Sequence, residues 1–345
     1  MTENVLTRLK ARLSSSHTIE READGGRVTT QKRTRMKAIT IAVLAIQAAA
    51  LTIGSTEAAA QTNPLWFEQK IKNYLPHMTR PEVEDLLTRT DMVIIPVGSL
   101  EQHALHLPMG TDFLSGVERA KLIAQETDAL VAPILMPGLS PYHMGFPGTI
   151  TLRSETIQAV YLEAVQSLLL HGFKRFLILN AHGGNRATVG LLVDRVNQET
   201  AGIAVDLGAA AAPFMTASVQ STATVLDRHA GVSETSRLMY LAPDLVDLAA
   251  AQTATVTMPD HLERMVPDLL AGDPSVSRVF LAEGLKAEET GKGTSAREMT
   301  STGAWSERDP RDASVEQGRA ETMNFVTAAV RFIERWKALR PMEQR

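Results

Sequence analysis

The chain has 345 residues, a formal net charge of −4 and 44% apolar residues, which suits one large α/β domain or two small ones with a sizeable core. It contains no cysteine, so disulfides, thiolate metal sites and a cysteine nucleophile are excluded and any metal must be held by His, Asp and Glu. The first sixty residues carry nine Lys/Arg and five Asp/Glu, or +4, so the remainder stands at −8, which leaves no electrostatic footprint for nucleic acid or an anionic membrane surface.

The leader differs from the rest. Basic Lys32-Arg33-Thr34-Arg35 precedes Met36-Lys37, an uncharged run follows over Ala38–Thr56, and Ala58-Ala59-Ala60 precedes Gln61. A basic start, a short apolar run and a small-residue exit read as a signal peptide over about Met36–Ala60, cleaved after Ala60. Residues 1–35 are then a long basic region or an over-long start ahead of Met36. The rival reading is a membrane anchor, for which the run is borderline in length and interrupted by Gln47. The expectation is an N-terminal extension over 1–60, a single domain over 61–345, and a periplasmic or secreted protein without stable membrane association.

Residues 62–90 predict one or two helices, one of them opened by Thr79 as cap with Pro81 and Glu82 in its first turn. Met92–Val97 is apolar and β-branched, a strand. Phe113–Thr127 has helical spacing, and Ala129–Met136 is a second strand candidate before Pro137-Gly138. Ser154–His171 predicts a helix capped by Ser154, with Glu155 in its first turn. Arg175–Leu179 is a third strand, ending at Asn180. Ala187–Thr200 is helical, Ala204–Leu207 a fourth strand, Glu234–Leu241 the start of a further helix, and Val315–Lys337 a long terminal helix with basic residues at its end. Gly284–Gly303, rich in Gly, Thr and Ser, is a loop. Continuous apolar strands alternating with helices predict a mostly parallel sheet covered on both faces, with its ligand site beyond the carboxyl ends of the strands.

Two of these strands run into polar clusters. SLEQHALHLPMGTD (99–112) places Glu101 and His103 two residues apart, on one side of an extended segment, with Asp112 after a Pro-containing loop. Such oxygen and nitrogen donors suit Zn, Mn or Fe; the bland alternative is a solvated, hydrogen-bonded loop. NAHGGN (180–185) puts His182 on a strand-to-helix turn where Gly183 and Gly184 allow close backbone approach, or is a glycine turn with a satisfied histidine. DRHAGVSETS (227–236) brings His229 and Glu234 to the start of a helix, where Glu234 could equally be an acid answering the helix dipole. PYHMGFPGT (141–149) suits substrate contact or a plain surface loop.

Together EQHxxHLPxGTD, NAHGGN and HAGxxETS, in this order, resemble the creatininase (creatinine amidohydrolase) family over about 90–335. The resemblance implies a three-layer α/β/α fold, two divalent ions per subunit (Zn, Mn or Fe) and hexameric assembly. By motif position it implies Glu101, His103, Asp112 and His182 as metal ligands, with Asp112 bridging, and a proton-transfer role for His229. Creatininase proper carries a Glu where this chain has Gly184, which leaves Glu234 as the candidate fifth ligand. It also carries ring-covering tryptophans, whereas residues 186–228 here contain none; the chain is therefore not read as creatininase proper. His106 is assigned a supporting role. The expected function is an exported metal-dependent amidohydrolase acting on a cyclic or small amide, with His229 and Glu234 in catalysis. The alternatives are the same fold cleaving a formamide, a peptide or a cyclic ketone C–C bond, or a binding protein whose metal site is saturated by protein ligands.

Overall fold

All six residues of Met92–Val97 (β1) are buried, because both faces of the strand are covered. β1 pairs in parallel with Leu130–Val131 (β2) on one side and Arg175–Asn180 (β3) on the other, and β3 pairs in parallel with Ile203–Asp206 (β4). This computed structural model describes residues 69–345 except 136, 217–225, 258–259, 272, 274, 277–278, 280–295 and 343–345. The leader over 1–60, the stretch 62–68 and most of Gly284–Gly303 lie outside the described residues.

The helices are Arg80–Leu86 (α1), Thr111–Thr127 (α2), Ser154–His171 (α3), Arg186–Glu199 (α4), Leu207–Ala211 (α5) and Val232–Leu241 (α6). Shorter Asp260–Glu263 (α7), Val266–Leu270 (α8) and Ala296–Met299 (α9) precede the long Val315–Leu339 (α10). Asp227–His229 (β5) and Trp305–Ser306 (β6) form a separate antiparallel pair. No helix among the described residues is long and apolar enough to cross a membrane.

Side chains alternate across a strand, and the sheet uses both sets. Val93, Ile95, Val97, Phe176 and Ile178 pack with Ile157, Tyr161 and Val165 of α3 and Val189, Leu192 and Val196 of α4. Met92, Ile94, Leu177 and Leu179 pack on the other face with Ala120 and Ile123 of α2 and Phe325, Ala328 and Ile333 of α10. Each fully buried side chain of this size contributes about 1.5–3 kcal/mol. The result is the three-layer α/β/α sandwich with a parallel sheet. Helix ends follow local chemistry. Thr79 donates its N–H and hydroxyl to Glu82 (both 2.8 Å) and Pro81 sits in the first turn of α1. Gly172, at φ 107°, ends α3 with its N–H on Leu168 and Leu169 carbonyls, a left-handed position that favours glycine.

Three expectations need correction. The strand predicted over Ala129–Met136 is only Leu130–Val131: Ala132 still donates to Ile94 O (3.0 Å), but Pro133 has no N–H with which to extend the ladder. Ser154 does not cap α3. Arg153 holds that position, and the Ser154 hydroxyl bonds Thr188 of α4 at 2.8 Å, joining two helices instead. The fourth strand lies at Ile203–Asp206, because Asp206 accepts the Ala209 N–H (3.2 Å) and turns Leu207 into the first residue of α5.

Candidate metal centre

β1 and β3 end level, with Val97 opposite Asn180. The two polar segments therefore leave the sheet together at its carboxyl edge, where such sheets place ligands. Fully buried Asn185 ties them to a third loop: its amide donates to Gly98 O (2.8 Å) and its oxygen accepts the Leu139 N–H (2.9 Å). α6 brings Glu234 and β5 brings His229 from the other side.

Glu101, His103, Asp112 and His182 are all at most 5% exposed. Asp112 stands between the two histidines: Oδ2 lies 2.9 Å from His182 Nδ1, and Oδ1 lies 3.6 Å from His103 Nε2. Glu234 Oε2 is 3.7 Å from His103 Nε2 and accepts the Ala230 N–H at 2.7 Å. Glu101 faces His182 (3.3 Å), His143 (3.5 Å) and His229 (3.7 Å). Among the described residues, three overlapping groups have donor atoms close enough to share a cation: Glu101/Asp112/His182, His103/His229/Glu234 and Glu101/His143/His229.

The ring hydrogen bonds set His143 apart from the other three histidines. His103 Nδ1–H donates to Glu101 O (3.0 Å), His182 Nε2–H to Leu139 O (3.1 Å) and His229 Nε2–H to Gln102 O (2.8 Å). In each ring the other nitrogen faces the carboxylates: on His229 it keeps its lone pair, and on His103 and His182 it holds a proton that a metal would displace. That is how metal-ligating histidines are held. His143 is different. The Ala104 N–H donates to Gln102 Oε1 (2.9 Å), which fixes the amide orientation, so Gln102 Nε2 donates to Gly303 O (2.9 Å) and His143 Nδ1 (2.8 Å). A neutral His143 then carries its proton on Nε2 and offers Glu101 a donor rather than a ligand lone pair. His106 bonds Thr235 Oγ1 at 2.8 Å and stands outside all three groups.

Electrostatics follow the same division. Burial alone would lower His103 and His182, but the Asp112, Glu101 and Glu234 charges outweigh it and raise them to about 10 and about 9. Burial lowers His143 to about 3 and His229 well below its usual range, with nearby histidines adding to the effect, so both are neutral. Burial raises Asp112 too, but His103 and His182 hold it well below the usual carboxylate range. Burial pushes Glu101 up to about 7 and Glu234 upward. Among the described residues, Glu101 Oε2 and His103 Nε2 are buried without a hydrogen-bond partner. A buried carboxylate oxygen and a buried imidazole nitrogen left so are groups that a cation taking the place of the imidazole proton would satisfy. Such a mixed His/carboxylate set fits Zn, Mn or Fe.

The family model described as "Creatininase: Creatinine amidohydrolase" matches residues 76–333. The chain belongs to the creatininase family. It is 31% identical over 214 residues to the mycofactocin precursor peptide peptidase of Mycolicibacterium smegmatis, covering 57% of this chain and 80% of that one. It is 30% identical over 194 residues to the creatinine amidohydrolase of Pseudomonas putida, covering 51% and 74%. A solved creatininase structure described as the Mn form aligns at TM-score 0.54 and 21% identity over 79% of this chain and all of that one.

Within this creatininase-family site, Gly184 is a packing position. A Cβ there would overlap His182 Nε2 and Leu139 O and lie 2.6 Å from the Tyr142 hydroxyl, so the space beside the turn is already filled. Gly184→Ala is expected to break the His182–Leu139 bond and lower metal affinity about 10–100-fold, the cost usual for lost outer support; metal titration against a chromophoric chelator measures it. An aromatic wall is present all the same: Trp305 of β6 and Tyr142 line the cavity. The sequence left the 141–149 loop open between substrate contact and a plain surface loop and did not single out His143, Gln102 or Trp305; Tyr142 and His143 line the cavity. The Glu101-Gln102-His103 run was visible, but the reach of Gln102 to Gly303 was not.

Proposed function

We propose that this creatininase-family hydrolase binds two divalent ions through Glu101, His103, Asp112, His182 and Glu234, and cleaves the C–N bond of a small amide. The observation that carries the reading is the set of imidazoles, each donating one N–H to a main-chain carbonyl and aiming the other nitrogen at a shared carboxylate cluster. Such ions, when bound, supply an acidified water and polarise a carbonyl. The protein supplies the rest. Asp112 answers both His103 and His182 and so couples the two halves of the site. Gly183 lies on the turn that lines the cavity, where an N–H can meet a developing oxyanion. Neutral His229, with its lone pair on Nδ1, takes up the proton and passes it to the departing nitrogen. The balance is amide plus water to carboxylic acid plus amine. Five side chains for two ions leave positions open for water, which favours an enzyme over a saturated binding site. The export signal over Met36–Ala60 and hexameric assembly belong to the same reading; the N-terminal sequence of the processed protein and light scattering test them.

The test is metal analysis and turnover on protein beginning at Gln61. About two equivalents of Zn, Mn or Fe are expected, with hydrolysis of a panel of small amides lost on chelation and restored by reloading. Because His103 and His182 carry protons until metal arrives, loading is expected to release protons and to strengthen as pH rises; calorimetry in two buffers of different ionisation heat reads this. Protein that holds no metal, or turns over equally after chelation, would falsify the reading.

A further inference from the structure

We propose that Arg186 and Arg228 bind a carboxylate at the mouth of the metal-centre cavity, so that the amide cleaved there belongs to a small substrate carrying a free acid group. The assignment rests on the reading of the site as an amide hydrolase. The cavity is about 350 Å³, which suits a small ligand. Its lining combines the His/carboxylate cluster with Tyr142, Met299 and Trp305. The remaining charge is the pair of guanidiniums.

Each arginine is delivered by a feature of the fold. Arg186 is the first residue of α4, directly after the His182–Asn185 turn, so it rises from the loop that carries His182. Arg228 lies between Asp227 and His229 on β5. Successive strand residues point to opposite faces, which would turn Arg228 away from a cavity that His229 enters. The β5–β6 ladder slips at this point: Asp227 pairs with Ser306 and His229 with Trp305, leaving Arg228 the extra residue of a bulge. A bulge re-aims a side chain at the cost of a ladder pair, and both Arg228 and His229 line the cavity.

Both arginines are exposed, and neither has an ion-pair partner among the described residues. Their neighbours do: Arg308 pairs with Asp227 (3.6 Å) and Arg195 with Glu199 (2.8 Å). A planar guanidinium matches a carboxylate through two parallel N–H donors. Two of them lining one small cavity together with the His/carboxylate cluster select a substrate that is anionic at one end. Hydrolysis then adds water across the C–N bond and leaves the substrate's acid group unchanged, as the handle by which it was held.

Calorimetry on the metal-loaded protein tests this with a matched pair of probes, N-acetylglycine and its neutral amide N-acetylglycinamide, with inorganic phosphate as a competitor. The acid is expected to bind at least about tenfold tighter than the amide. Arg186→Gln and Arg228→Gln are each expected to weaken the acid about tenfold, and the double variant to erase the acid–amide difference, all at unchanged metal content. Equal binding of acid and amide by the wild type overturns the proposal. So does a preference that survives in the double variant, which would place the carboxylate on the ions. Phosphate outcompeting the acid would assign the pair to a phosphoryl group and also overturn it. Should the protein hold no metal, the hydrolase reading fails by itself, while acid binding that depends on the arginines remains measurable.

Discussion

Asp112→Asn is expected to abolish turnover while leaving the fold intact. The carboxylate uses one oxygen toward His182 (2.9 Å) and the other toward His103 (3.6 Å), and it also accepts the Ser99 hydroxyl at 2.8 Å. Asn preserves the volume and one acceptor, so the packing around α2 survives. The other oxygen becomes an NH₂ group, which donates and carries no charge. It then faces an imidazole N–H or a cation with the wrong polarity. Removing one preorganised donor for a developing charge costs about 10²–10³ in kcat. A residue that couples both halves of the site is expected to cost more, on the order of 10³–10⁴. Metal content is expected to fall below one equivalent per chain. A thermal transition near the wild type, together with lost metal, separates this from unfolding. An Asp112→Asn protein that keeps two ions and a tenth of its activity would remove Asp112 from the centre.

How much of this was legible in the sequence differs between elements. β1 and β3 were readable because strands covered on both faces are unbroken apolar runs, and each stops where its first polar residue must leave the sheet. α3 and α10 were readable because long helices against a core repeat their apolar positions. β5 and β6 were not, since a two-residue and a three-residue strand carry no periodicity and pair across a long separation. The shortened β2 shows the opposite failure: Ala129–Met136 has the composition of a strand, but one missing N–H at Pro133 ends it. In the site, Glu101, His103, Asp112, His182, His229 and Glu234 stood out as titratable groups at element ends, and the structure brings all six together. Gln102 did not stand out. An amide says nothing about its role until Ala104, His143 and Gly303, the last 201 positions away, fix which atom points where. Trp305 was likewise hidden, because its relation to the cavity comes from the β5–β6 pairing and not from its neighbours in sequence.

Gly318→Ala carries the largest expected effect on stability. In an exposed helix the change is favourable, since alanine exceeds glycine by about 1 kcal/mol in helix propensity. Here the position faces α6 at close quarters. An added Cβ would overlap the carbonyl of Ser236 and lie 2.9 Å from the Arg237 nitrogen. These are main-chain atoms in the middle of a helix, so no rotamer change relieves the overlap; α10 must move away from α6. That motion also strains the link between the Ser314 N–H and the Ser236 hydroxyl (3.0 Å), and the packing of Phe325, Ala328 and Ile333 on the sheet. Overpacking of this kind costs typically about 1–3 kcal/mol and occasionally more, and the main-chain contact places Gly318→Ala at the upper end. The propensity gain offsets only about 1 kcal/mol of it. A net loss of about 2 kcal/mol lowers Tm by roughly 4–8 °C for a domain of this size, which scanning calorimetry reads directly. Because Glu234 sits on α6 two residues before Ser236, the same displacement is expected to weaken metal binding as well. A variant as stable as the wild type, or more so, would mean that propensity wins and that the two helices are free to part.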